Sequence, residues 1–464
     1  MSDTVAYTPG NIPIYGNFDL VVCGGGPAGI ASALAAKRSG LKVLFVEGQG
    51  QLGGMGVSGL VSHWLGGRTD NCEHWVVAGI FKELAEECTE RGFALLPKPE
   101  PGKGYSPFGW NKEIGGQLTA GVPFDPHEMA AYLDQKVLSE GIEILFMTQV
   151  IDVIVDGEKI THVIIFNKSG LQAVSAPLFV DSTGDADLAH KSGCETEIGR
   201  KEDRLMTPVT LQVHMDGFDQ DAYAAYINKH DAFRYLDEIE ELRKEGEWPF
   251  AYDRLITVQL TEKNTMMVNT PRITGIDGTD GSSVTRGMIQ GRKEIYQLRD
   301  ILRKHFPGCA NVRVKSVAPL LGVRETRRIV GDFRLTVQDL VDGRDFPDTI
   351  TFSAYGWDLP DPLKPSVNPS HGQKKRRISS VPFRTLIPRP IRNLIMAGRS
   401  LSVERFVLGP LREQAICMGM GEAAGIASSL ALQGNRIYRD VDTEALRSEI
   451  VSRGGVVDYN PAWE

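Results

Sequence analysis

The stretch from Leu20 to Val46 restricts the fold more than any other. Leu20–Cys23 is a short apolar run of strand type, and "GGGPAG" follows it directly. Apolar residues then recur at helical spacing through "AGIASALAAKRSG", and Val43–Val46 is a second apolar run. That order predicts a strand–helix–strand unit in a parallel sheet. Gly24, Gly26 and Gly29 fall at the strand-to-helix junction as G-x-G-x-x-G. The first glycine permits a tight turn, the second lets backbone approach a pyrophosphate, and the third lets the helix pack on the strand. Free N–H groups and a partial positive charge at the helix start suit phosphate. Glu47 ends the second strand, 23 residues after Gly24, where a carboxylate can accept hydrogen bonds from a ribose. Glycine turns also serve packing alone, but the full order of strand, turn, helix, strand and acid selects a dinucleotide site.

Composition narrows the rest. A net charge of −8 and a pI near 5.7 argue against a nucleic-acid partner. No apolar stretch of the ~18–20 residues needed for a membrane span is expected, and the N-terminal "MSDTVAYTPGNIPIYGNF" does not read as a secretion signal. The six cysteines lie far apart, with no C-x-x-C for zinc, an iron–sulfur cluster or a redox dithiol. They read as reduced thiols of a cytoplasmic protein, and no metal is expected. At 464 residues the chain exceeds the ~250–300 residues of one core, so more than one domain is expected.

A second glycine-rich loop, "GQGQLGGMGVSGL", follows Glu47. It suits an extended ligand running inward from the first turn. Later, "GIEILFMTQVIDVIVDGEKITHVIIFNKSGLQAVSAPLFVDSTGDADLA" reads as short strands with turns, and "IRNLIMAGRSLS" as a strand into a glycine turn. Together with "LLGVRETRRIVGDFRLT", "VPFRTLIPRPIRNLIMAGR" and "LREQAICMGMGEAAG", these stretches make the chain similar to FAD-dependent oxidoreductases of the glutathione-reductase type of fold. More narrowly, it resembles a bacterial family labelled FAD-dependent oxidoreductase, over residues 18 to about 432.

The resemblance implies FAD as cofactor and roles for particular residues. Gly24, Gly26, Pro27, Ala28 and Gly29 would hold the pyrophosphate, and Glu47 the adenosine ribose. Gly53, Gly54 and Met55 would line the ribityl and flavin edge. Val150 would pair its backbone with adenine, and Thr183, Gly184 and Asp185 would close over the adenosine half. Gly398 and Arg399 would sit near the pyrophosphate or ribityl. Many related flavoproteins have Gly-Asp at that last position, so Arg399 is expected to offset phosphate charge instead.

The fold expected is α/β: a discontinuous Rossmann-like FAD-binding domain (1–187 and 379–464) with an inserted α+β substrate or cap domain (188–378). The Pro/Gly-rich segment 96–123 is a candidate cover for the active site. "GPLREQAICMGMGEAAG" predicts a helix from about Leu411 or Arg412, its N-terminus toward the flavin.

For the chemistry, "GVRETRRIVGD" offers Arg324, Arg327 and Arg328. Read as a strand, it puts Arg324 and Arg328 on one face. Arg324 is the candidate clamp for a substrate carboxylate, against an ion-pair role with Glu325 or Asp332. His63 is the acid/base candidate, and Arg412 a further catalytic candidate. The family's Asp-x-His pattern is replaced by "YGWDLPDP", with Asp358 and no histidine. Only one G-x-G-x-x-G occurs, so no dedicated NAD(P)H domain is expected. These features imply hydride transfer between flavin N5 and a small polar organic substrate, with an anionic one among the candidates, a separate electron donor or acceptor, and room for a homo-oligomer. The alternatives are an FAD enzyme without net redox turnover, of hydratase or isomerase type, and a non-enzymatic FAD-binding scaffold.

Overall fold

The computed structural model describes residues 10–97, 121–230, 232, 234–369, 371–435 and 437–464. At its centre lies a five-stranded sheet in the order Leu394–Met396, Leu178–Asp181, Leu20–Cys23, Val43–Val46, Glu143–Leu145. All neighbours are parallel, with Val21 opposite Leu44 on one side and Phe179 on the other. The inner strands are buried at every position and apolar throughout except for Asp181 at the end of one, as a parallel sheet covered on both faces requires. The predicted crossover is the helix Pro27–Arg38, with Pro27 at its first position and Gly26 as N-cap.

One face of the sheet is covered by that helix and by a long helix, Gln414–Gln433. The two pack unusually close because small residues meet. A Cβ on Gly421 would lie 2.1 Å from the Ala28 carbonyl oxygen, and one on Gly425 2.4 Å from that of Ser32. Gln414–Gln433 is also long and apolar enough to cross a membrane, which the sequence reading did not anticipate, but 83% of its apolar window is buried against the rest of the chain. It is a core helix. Its start differs from expectation as well. Leu408–Leu411 forms a separate short helix, Arg412 and Glu413 break the path, and Glu413 takes extended backbone as N-cap.

A second sheet joins Ile14–Asn17, Gly170–Ser175, Lys159–Asn167 and Gln149–Asp156. Residues within the segment expected to be inserted form a separate antiparallel sheet, Thr257–Gln259, Thr265–Val268, Val213–Asp216 and Arg313–Val317, backed by the helix Gly281–His305. Its apolar cluster draws on Val209, Val213, Met266, Leu298 and Leu321. Leu335, Leu340, Phe346 and Ile350, assigned from sequence to the inserted segment, instead share the core of the dinucleotide domain. Likewise Thr349–Ser353, within the range expected for the inserted domain, pairs with Ser379–Pro382. Their alternating hydrophobicity marks burial without saying against which domain. The expected cover at 96–123 falls largely, from 98 to 120, outside the described residues.

Candidate cofactor cleft and active site

The glycine turn opens onto a cleft of about 1330 Å³, measured to include its open mouth. Gly24 has φ +102°, and a Cβ there would strike the Ser182 carbonyl oxygen at 2.4 Å. Only glycine serves that position. Gly26 differs: an added Cβ meets nothing within 4 Å, because it would project into the cleft. No side chain caps the helix Pro27–Arg38, so its first N–H groups are left for a ligand. Gly24, Gly26, Pro27 and Ala28 all line the cleft. Gly29 does not; its Cβ would collide with the Gly24 carbonyl oxygen, so it serves helix packing.

At the outer end, Glu47 and Val150 line the wall with Thr148 and Gln149. Glu47 is buried, and its carboxylate accepts from the backbone N–H of Gly25 and, at 2.6 Å, of Gln49. Burial raises its pKa, while those backbone donors work against the rise. The carboxylate therefore shapes the turn as well as facing the cleft. Thr183, Gly184 and Asp185 line the opposite wall. Their loop is shaped by Asp181, which sequence reasoning passed over. Its carboxylate accepts from the Thr183 hydroxyl (2.7 Å) and from the N–H groups of Leu188 (2.9 Å) and Ala189 (3.1 Å). Burial, partly offset by these donors, pushes its pKa up to about 6.

Gly54, Met55, Gly398 and Arg399 line the middle of the cleft. Gly53 does not: its Cβ would run into Val57, on the far side of the loop. Arg399 is not left free for phosphate. It donates to Asp185 Oδ1 at 2.6 Å and to Thr326 Oγ1 at 2.7 Å. Its nearest charge is thus a carboxylate of the adenosine-side loop.

The inner end collects Leu321, Val323, Arg412, Gln414 and Cys417. Arg412 donates to Asp358 Oδ2 at 2.8 Å and lies 3.2 Å from Glu413 Oε1. Burial pulls its pKa down, but those two carboxylates raise it overall. Arg324 sits just behind Val323 and is 8% exposed. It precedes the short strand Arg327–Ile329 rather than lying on it. Its guanidinium donates to the Pro208 carbonyl oxygen (2.7 Å), Thr210 Oγ1 (3.0 Å) and Asn269 Oδ1 (3.2 Å), all neutral. The ion-pair alternative fails for this residue: Glu325 is held by Arg405 and Arg328, and Asp332 by Arg389 and Arg439. Burial, with Arg272 and Arg412 nearby, lowers the Arg324 pKa to about 9. Cys417 is a buried thiol with its pKa pushed up to about 12, mainly by burial, which fits packing rather than nucleophilic attack.

His63 lies elsewhere. It pairs in a two-residue strand opposite Pro123, is 2% exposed, and does not line the cleft. Among the described residues neither ring nitrogen has a hydrogen-bond partner, and burial lowers its pKa to about 3. It is neutral near pH 7 and removed from the cleft, so it is set aside as the acid/base. Gln414, which lines the cleft, and Glu413, which lies beside Arg412, were passed over although both stand in the stretch "LREQAICMGMGEAAG", because the helix was expected to begin before them.

The geometry fits FAD. The vacant space beside Gly26, the uncapped helix start, and a wall running from Val150 to Gln414 suit an extended dinucleotide. Fold and site define a dinucleotide-binding α/β flavoprotein. The family model described as FAD dependent oxidoreductase matches residues 19–450, and the chain belongs to that family; its cofactor is FAD and it is an enzyme. A thioredoxin reductase of Ureaplasma parvum serovar 3 is 49% identical over 49 residues, 11% of this chain and 16% of that protein. Among solved structures, a geranylgeranyl bacteriochlorophyll reductase-like protein of Thermoplasma acidophilum is 13% identical, covering 94% of this chain and 84% of that one, with a TM-score of 0.47. The flavin-dependent brominase Bmp2 is 15% identical over 93% and 83%, with a TM-score of 0.48.

Proposed function

We propose that this flavoenzyme oxidises or reduces a small polar, anionic organic molecule at the inner end of the cleft. FAD, when bound, supplies the hydride acceptor or donor. The chain's own residues position and polarise. The N-terminus of Gln414–Gln433 reaches the cleft through Gln414 and Cys417, and its free N–H groups favour negative charge there. Arg412, set by Asp358 and Glu413, faces the same space.

The observation that carries this reading is Arg324, a buried guanidinium held only by neutral acceptors, one residue from the cleft wall. Asp358 and Glu413 offset its charge from a distance while in contact with Arg412, so burial of Arg324 is only partly compensated, and an anionic ligand nearby would reduce that cost. We place the inserted part as the substrate domain and the reaction in the cytoplasm. Six buried free thiols support that location. An electron partner outside this chain completes the cycle.

The test is an anaerobic screen of small organic anions against the FAD-loaded protein, following the oxidised-flavin absorption band, with the same set tried as oxidants of the reduced protein. One or more carboxylate-bearing compounds should bleach or restore the band. If only neutral or cationic compounds do so, the anionic substrate is wrong. If no compound does so while the protein catalyses hydration or isomerisation, the redox reading is wrong.

A further inference from the structure

Three polar side chains beside the middle of the cleft close a ring. Arg399 donates through Nη2 to Asp185 Oδ1 at 2.6 Å and through Nη1 to Thr326 Oγ1 at 2.7 Å, and the Thr326 hydroxyl donates to the same Asp185 oxygen at 2.7 Å. Each member is thus held by the other two. They come from three segments: Asp185 follows the strand Leu178–Asp181, Arg399 follows its parallel neighbour Leu394–Met396, and Thr326 precedes Arg327–Ile329. Gly184 makes the ring possible. Its φ is +76°, and a Cβ there would lie 3.2 Å from Arg399 Nε and 3.3 Å from Cζ, so the guanidinium rests against bare backbone.

The ring uses one oxygen of the carboxylate. Among the described residues no donor reaches Asp185 Oδ2. Thr326 is 1% exposed and stands behind the wall, whereas Asp185 and Arg399 line the cleft and the Asp185 side chain is 35% exposed. A phosphate is a poor neighbour for this carboxylate, because like charges repel and Asp185 already takes up the Arg399 charge. A hydroxyl is a good one, since O–H donation to a carboxylate is a short, charge-assisted bond. The position narrows the choice of hydroxyl. A Cβ on Gly398 would lie 3.5 Å from Ala28 Cβ and 4.0 Å from Cys417 Sγ, so the loop carrying Arg399 runs between the start of Pro27–Arg38 and the inner end of the cleft. In FAD the part that joins the pyrophosphate to the flavin ring is the ribityl chain, which bears hydroxyls.

We propose that Asp185 accepts a hydrogen bond from a ribityl hydroxyl of FAD, and that Arg399 and Thr326 are positioning residues that fix this carboxylate. Asp185, expected from sequence over the adenosine half, then serves the other half of the cofactor, and Arg399 acts through Asp185 instead of on phosphate. The assignment concerns the cofactor and holds for any substrate.

Equilibrium dialysis of the full-length apoprotein tests this with FAD, with analogues each lacking one ribityl hydroxyl, and with the analogue built on deoxyadenosine. Asp185→Ala should bind FAD about tenfold or more weakly, the scale of one charge-assisted hydrogen bond. One ribityl analogue should bind the wild type and Asp185→Ala equally, while the deoxyadenosine analogue shows the full loss. Arg399→Gln and Thr326→Val should each lose part of the FAD affinity and none of the affinity for that same ribityl analogue. Melting temperatures of the apoproteins check folding. If Asp185→Ala does not fold, Asp185→Asn, which keeps an acceptor, should show a smaller loss that the same analogue cancels. Unchanged FAD affinity in Asp185→Ala, an equal loss for every ribityl analogue, or a loss cancelled by the deoxyadenosine analogue instead overturns the ribityl contact. A loss in Arg399→Gln that is the same for FAD and every analogue, and larger than that of Asp185→Ala, returns Arg399 to the phosphates and overturns its positioning role.

Discussion

The two ends of the cleft are made of different material. At the pyrophosphate end the working parts are backbone: the Gly24 turn, the bare Cα of Gly26 and the uncapped start of Pro27–Arg38, all within one short stretch. At the inner end they are side chains brought together from distant segments: Arg412 on the wall, Asp358 that holds it, and Arg324 next to the lining residue Val323. Backbone sites depend on local conformation and tolerate no Cβ. Side-chain sites depend on tertiary packing and on charges that balance only when the segments meet. The first end has the features of a general dinucleotide site, and the second is where the proposed substrate would sit.

Gly26→Val gives the largest contrast. A Cβ at this position meets no protein atom within 4 Å, so the apoprotein should fold with nearly unchanged melting temperature, yet the purified protein should be colourless because the side chain fills the space for pyrophosphate. A yellow Gly26→Val protein would break the assignment of this end. Arg324→Lys is the counterpart at the inner end. It keeps the charge but loses the planar fork. Turnover efficiency should fall by about one to two orders of magnitude, the scale of a charge-assisted hydrogen bond, with flavin content unchanged. Normal activity per flavin would remove Arg324 from the site.

Glu47→Ala sharpens the boundary between the two kinds of site, since here a side chain supports a backbone turn. FAD should bind about tenfold or more weakly, and the melting temperature should also fall because Gly25 and Gln49 lose their acceptor. Equilibrium dialysis and thermal melts separate the two effects. An unchanged dissociation constant would mean that another residue holds the ribose.

His63→Asn should have the smallest effect on turnover, within about twofold per bound flavin, because His63 belongs to neither end. Its effect on acid stability has a definite sign. The folded pKa lies near 3, below the ordinary value of 6.5, so between these values the unfolded chain binds the extra proton. Folding stability should therefore fall as pH drops below about 6.5, and His63→Asn should weaken that dependence. Loss of a neutral-pH limb from the turnover profile in this variant would return His63 to the catalytic list.

Legibility followed the same division. The turn, the first helix, the central strands and most cofactor-facing residues stood in the sequence because glycine spacing and aliphatic runs are local signals. Two of the glycines carried over with them, Gly29 and Gly53, face packing instead, since a spacing pattern does not say which side of a turn faces the ligand. The break before Gln414 was missed because it depends on Arg412 reaching Asp358, 54 residues earlier.

What the sequence determined by itself is the dinucleotide-binding half, where each residue's role follows from its own backbone geometry and its immediate neighbours. Only the tertiary structure decided the inner end. It buried His63 away from the cleft, paired Arg399 with Asp185, and left Arg324 on neutral acceptors while Glu325 went to Arg405. The physical reason is that a charged side chain's function depends on which counter-charges it meets, and those come from segments that no local spacing connects.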